Sequence, residues 1–106
     1  MIGTERQQTE NRLIGVLKTI FDPEISVNIY DLGLIYKLEV DDKRTAHITM
    51  TLTAPNCPMA DQLVEEVKNK VAGTLGVKEV DLKLTFDPPW DKNMLSDEAK
   101  LELGLL

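Results

Sequence analysis

A lone cysteine, Cys57, stands in the run Thr53-Ala54-Pro55-Asn56-Cys57-Pro58-Met59-Ala60, where a strand pattern gives way to a helix pattern. That position makes a thiol chemically useful. The first-turn N–H groups of a helix have no intrahelical partner, so a thiolate there is stabilised by oriented donors and by the helix dipole. Pro58 suits the geometry, because proline is tolerated at the first helical position and pre-sets its backbone angle. Thr53, Asn56 and Pro58 then form the loop around the thiol. The competing reading is packing, since a free cysteine commonly behaves as a small buried hydrophobe.

Other chemistry-bearing residues are few. His47 is the only histidine; it falls on the polar face of a strand with no local acidic partner, so a cysteine–histidine pair would have to be assembled by the fold. Asp22, Glu24 and Asp31 crowd one irregular segment, where they serve as turn and capping residues or as an acidic lining. If the first two strands are antiparallel, the start of the first lies beside the end of the second, which brings Asp31 and Gly33 toward Thr53 and Cys57. Trp90, the only tryptophan, lies in a proline-rich exit from the sheet with Met94 close behind. These two are either a plug that seats the tail or a partner-binding hot spot. Gly73 and Gly76 are followed by no Lys-Ser/Thr pair, which argues against a phosphate-binding loop and nucleotide hydrolysis.

The elements that must position these residues follow from apolar periodicity. Leu13, Val16, Leu17, Ile20 and Phe21 mark one face of a helix over residues 10–21, ended by Asp22-Pro23. Leu34, Tyr36, Leu38 and Val40 alternate with Ile35, Lys37 and Glu39; after the polar turn 41–44, Ala46, Ile48, Met50 and Leu52 alternate with Thr45, His47, Thr49, Thr51 and Thr53. That pair reads as a hairpin with one wet face. A second helix spans about residues 58–72, with Met59, Leu63, Val64, Val67 and Val71 inward, and a third strand covers residues 77–86, with Val80, Leu82, Leu84 and Phe86 inward. Ser96-Asp97-Glu98-Ala99 opens a short terminal helix. The expected fold is a two-layer α+β sandwich of order α-β-β-α-β with a short C-terminal helical tail.

At 106 residues, 42% of them hydrophobic and only 5% aromatic, the chain reads as one domain with an aliphatic core. Twelve basic against eighteen acidic side chains give a net charge of −6, with no basic cluster interleaved with aromatics. Nucleic acid and anionic membrane are therefore not expected partners. No stretch has the length of a signal peptide core or a membrane span, and one cysteine forms no intramolecular disulfide; both point to the cytoplasm.

Four segments in order, Asp22-Pro23-Glu24-Ile25, 28–36 (NIYDLGLIY), 51–58 (TLTAPNCP) and Pro88-Pro89-Trp90, resemble the small domain of iron-sulfur cluster assembly accessory proteins, the SufT-like and PaaD-like group. The resemblance covers about residues 10–103. It implies an adaptor or transient carrier in iron-sulfur protein maturation, not an enzyme, with Cys57 as the hallmark thiol and Asp22-Pro23-Glu24 as the acidic motif. The implied partners are the assembly machinery and client apoproteins, with a homodimer left open. The chain shows neither the cysteine-rich extension of PaaD-like proteins nor a following nucleotide-binding domain, so a stand-alone SufT-like member is the expectation. Clusters usually take four protein ligands, which one cysteine cannot supply. No tightly bound cofactor is expected; the metal chemistry allowed is a transient iron-sulfur cluster on Cys57. The alternative is an interaction module in which the sheet edge, Trp90 and the tail bind a client and the cysteine is merely packed.

Overall fold

The computed structural model describes residues 2–22, 25–53 and 60–104. In chain order the elements are α1 (Ile2–Leu17), β1 (Ile35–Val40), β2 (Thr45–Met50), α2 (Ala60–Ala72), β3 (Glu79–Leu84), a 3-10 turn (Lys92–Met94) and α3 (Asp97–Glu102). The three strands form one mixed sheet in the order β1-β2-β3, which is the α+β arrangement expected. β1 and β2 are an antiparallel hairpin, whereas β2 and β3 run parallel and are joined through α2. Parallel neighbours need such a crossover, and a helix is its usual form.

The core lies between the sheet and the helices. Leu13 and Leu17 of α1 and Leu63, Val67 and Val71 of α2 meet Val40, Ala46, Ile48 and Met50 of the sheet, all buried. Leu63, Val67 and Val71 recur at four-residue spacing, so one stripe of α2 enters the core while Glu65 and Lys68 stay in water. Each leucine or valine so buried contributes about 1.5–3 kcal/mol relative to exposure.

α1 departs from the periodicity at both ends. It stops at Leu17, well before Pro23, because Thr19 and Ile20 donate backbone N–H groups to Val16 and Leu17 and tighten the last turn, while the Thr19 hydroxyl also bonds the Val16 carbonyl at 2.6 Å. Ile20 stays buried, but Phe21, expected on the inner face, is 56% exposed. The helix also begins earlier than expected. Its first turns are held by polar contacts that leave no hydrophobic signature: Arg6 to Asp42 at 3.0 Å, Glu10 to the Val40 N–H at 3.0 Å and Arg12 to the Leu75 carbonyl at 3.3 Å.

β1 carries an extra residue. The register passes from Ile35 opposite Met50 to Lys37 opposite Thr49, so Tyr36 is the bulged position and leaves the simple alternation. β3 is shorter than its apolar run: it ends at Leu84, and Leu84 and Phe86 are 42% and 40% exposed where inward positions were expected. Val80 and Leu82 do pack on the core.

After β3 the chain crosses the end of the sheet toward β1 and folds back as a strap. Trp90 Nε1 donates to the Leu32 carbonyl at 2.6 Å, Tyr36 donates its hydroxyl to the Pro88 carbonyl at 2.8 Å, and the Ser96 N–H bonds the Asp31 carbonyl at 2.8 Å. Ser96 caps α3 by accepting from the Ala99 N–H at 3.1 Å, as its sequence context predicts. Leu95 and Ala99 are thereby buried in the common core.

Candidate functional site

Three strand ends coincide at one edge of the molecule. Ile35 at the start of β1, Met50 at the end of β2 and Leu84 at the end of β3 share one level across the sheet. The ladder continues past it through Thr51 N–H to the Leu34 carbonyl at 2.8 Å and Thr85 N–H to the Met50 carbonyl at 2.9 Å. The antiparallel pairing therefore puts the 31–33 turn and Thr53 at the same end, as the hairpin argument required. From that end residues 54–59 lead into α2. Asn56, Cys57 and Pro58, like Glu24 of the acidic motif, lie outside the described residues.

The acidic residues that are described have structural partners. Asp22 is 5% exposed, and its Oδ1 accepts the Ile25 N–H at 3.0 Å. Asp31 Oδ2 accepts from Asn28 Nδ2 at 2.7 Å, while Asn28 Oδ1 accepts the Asp31 N–H at 2.9 Å. The two side chains thus form a reciprocal clasp that fixes the 28–33 segment. A bridge between Phe21 and Asn28 and the Ile29 N–H bond to the Ile20 carbonyl tie Asp22 and Asp31 into one loop system.

Gly33 is the point on which the strap rests. Its φ is +83°, and a Cβ there would overlap the Met94 carbonyl oxygen. Only glycine meets both demands, a left-handed backbone and contact with another backbone. Trp90 and Met94 are therefore engaged within the chain: Trp90 bonds Leu32 and packs on the core, and Met94 covers Gly33 with its sulfur 3.5 Å from the Tyr36 hydroxyl. The sequence pattern set Tyr36 in simple alternation with Leu34, Leu38 and Val40; the bulge that takes it out of that alternation leaves no periodic mark.

Thr51 corrects the strand alternation, which put it on the wet face of the hairpin. It is fully buried, and its hydroxyl is the one buried side-chain polar atom without a hydrogen-bond partner among the described residues. Such a group costs about 1–3 kcal/mol. It stands where β2 hands over to the segment that carries the thiol.

His47 corrects the sequence reading. It has two acidic partners: Nε2 lies 2.9 Å from Asp41 Oδ2 and Nδ1 lies 3.0 Å from Asp81 Oδ2. Asp41 comes from the hairpin turn, and Asp81 is the parallel-register neighbour of His47 on β3, so the second partner was invisible without the strand pairing. Both ring nitrogens face carboxylates, an arrangement only the imidazolium satisfies with two donors. The hydrogen bonds His47 donates to Asp41 and then to Asp81 hold its pKa above its ordinary 6.5. In turn His47, with the Thr45 and Lys43 N–H groups, holds the Asp41 carboxyl below its ordinary 3.8. A raised histidine pKa adds stability that is complete below 6.5 and is lost as pH rises through the folded value; the lowered Asp41 pKa adds stability present above 3.8 and lost as pH falls below it. Accordingly, the thermal stability advantage of wild type over His47→Gln is expected to be larger at about pH 6 than at about pH 9. Melting curves at the two pH values check it; an equal gap at both would remove the ion cluster as its source.

Among the described residues no group of three or more His, Cys, Asp or Glu side chains is placed to hold a metal ion, and no helix is long and apolar enough to cross a membrane. A three-stranded mixed sheet with a crossover helix and a tail strapped over its loop end, in a chain whose lone cysteine precedes that helix in sequence, define a small accessory domain. The chain belongs to the iron-sulfur cluster assembly protein family, whose model matches residues 10–82. It is 52% identical to an Fe-S protein maturation auxiliary factor of Porphyromonas gingivalis, over 99% of this chain and 100% of that one. It is also 38% identical to the Fe-S protein maturation auxiliary factor SufT of Staphylococcus aureus, over 81% of this chain and 98% of the other. A crystal structure of a domain of unknown function from Bacillus anthracis superposes with a TM-score of 0.88 at 37% identity, covering 98% and 99% of the two chains.

Proposed function

We propose that this protein is an accessory factor in iron-sulfur cluster assembly or transfer, acting in the cytoplasm as an adaptor or transient carrier between the assembly machinery and client apoproteins, and not as an enzyme. The observation that carries the reading is that the chain leaves β2 at Thr53 on the sheet end where the 31–33 turn and the strap converge, and that the sequence carries its single thiol four residues further on. Membership of the family and likeness to two maturation factors support it.

The chemistry limits how cargo is held. Cys57 supplies one thiolate, and a cluster usually takes four protein ligands, so the remainder must come from a client, a small thiol or another chain. A site of that kind favours release over storage. Glu24 and Asp31 would add carboxylates that act on iron or on basic client surfaces, whereas Asp22 accepts the Ile25 N–H.

Reconstituted without oxygen, the protein is expected to hold well under one cluster per two chains and to lose it readily to chelators, while still capturing assembly or client proteins. Iron and sulfide analysis alongside co-purification reads both. A stable visible-absorbing cluster that disappears in Cys57→Ser would replace the adaptor reading with that of a true carrier.

A further inference from the structure

The two edges of the sheet are treated differently. β1 is blunted: Tyr36 bulges it, Glu10 of α1 caps the Val40 N–H, and Lys37 and Glu39 pair at 3.7 Å along it. Bulges and covering elements are the usual protection of an edge against pairing with another chain. β3 has neither proline nor bulge from Glu79 to Leu84, and the strap leaves it at once, since Pro88 already contacts Tyr36 on the opposite side of the sheet.

The free side of β3 has a definite hydrogen-bond phase. Glu79 and Thr85 direct N–H groups to the Arg44 and Met50 carbonyls of the β2 segment. Odd positions therefore face β2, and by alternation Val80, Leu82 and Leu84 present both N–H and C=O outward. No described residue bonds to them from that side. A second strand must pair with these even positions.

From this edge we infer that β3 pairs antiparallel with β3 of a second copy of the chain, with Leu82 opposite Leu82, joining two three-stranded sheets into one of six strands. The register follows from charge. With Leu82 at the two-fold axis, Asp81 of each chain lies opposite Lys83 of the other at closely spaced positions, while Val80 lies opposite Leu84 on the helix side. Sliding by two residues in one direction opposes Asp81 to Asp81, and in the other direction Lys83 to Lys83; like charges directly opposed destabilise a pair. Sliding by one residue sets outward-facing groups against inward-facing ones and breaks the ladder. Leu84, 42% exposed in the single chain, gains an apolar neighbour. A one-strand contact is small, so the dimer is concentration-dependent. The inference is independent of what the protein carries.

Sedimentation equilibrium over a range of concentrations is expected to show a reversible monomer–dimer equilibrium. Lys83→Asp turns both cross-chain pairs repulsive and is expected to weaken the dimer about tenfold or more. Mixing it with Asp81→Lys restores both pairs in a heterodimer and should recover association. Register is read by cysteine scanning in a Cys57→Ser background: oxidised Leu82→Cys should cross-link, its Cα atoms lying within disulfide reach, whereas Val80→Cys should not, its copies being about 13 Å apart. A chain that stays monomeric throughout overturns the inference. So does a dimer indifferent to Lys83→Asp, or equal cross-linking at both positions.

Discussion

Cys57→Ser is expected to abolish the maturation of client iron-sulfur proteins in cells while leaving the melting temperature within about 2 °C of wild type, a shift well under 1 kcal/mol for a domain of this size. Serine keeps the shape of the side chain and removes the chemistry. A thiol ionises near neutral pH when a helix start or a cation favours it, and its thiolate is the metal ligand; a hydroxyl does not ionise there. Complementation of a deletion strain, beside a denaturation curve of the purified variant, separates the two readings of this residue. If Cys57 is instead a packed hydrophobe, the new hydroxyl is buried without a partner and stability falls by about 1–3 kcal/mol. Function would then decline only as far as folded protein does.

Gly33→Ala is expected to be the most damaging single substitution in the described loops, costing about 3 kcal/mol. Part of that comes from the backbone, since an L-residue at a φ of +83° pays about 1–2 kcal/mol. The rest comes from the strap. The new Cβ would meet Met94 backbone atoms, its carbonyl carbon at 2.9 Å, and these have no rotamer by which to withdraw. The strap must lift, which strains the Trp90 bond to Leu32 and the burial of Leu95 and Ala99. Gly104→Ala supplies the control, because Gly104 shares a positive φ of +75° but has nothing within 4 Å of its would-be Cβ. Urea denaturation of both variants should therefore show a substantially larger loss at Gly33. Equal losses would mean that the strap yields freely and does not brace the turn.

Legibility in the sequence tracked the hydrophobic pattern. The cores of β1, β2, β3 and α2 were visible because Ala46, Ile48 and Met50, or Leu63, Val67 and Val71, repeat at the period of their element. The meeting of the 31–33 turn with the end of β2 followed from the hairpin alone. Polar fastenings were not legible. The first turns of α1 depend on Arg6, Glu10 and Arg12 reaching parts of the chain distant in sequence, and the His47 cluster depends on a parallel register that no local pattern encodes. The same holds for the strap, whose contacts join Trp90 to Leu32 and Ser96 to Asp31. The thiol, the proline after it and the acidic motif were recognisable as residues.

The seat of Trp90 gives the protein an intrinsic optical reporter. It is the only tryptophan in the chain, so ultraviolet emission excited at its absorption edge comes from one known place. Its indole N–H is tied to the Leu32 carbonyl, between Asp31 and Gly33, and its ring is half-buried against the core. Indole fluorescence shifts when that hydrogen bond or the polarity around the ring changes. A client, an iron source or a second thiol arriving at this end of the sheet can thus be followed in the unlabelled protein, in real time, by the colour of a single residue.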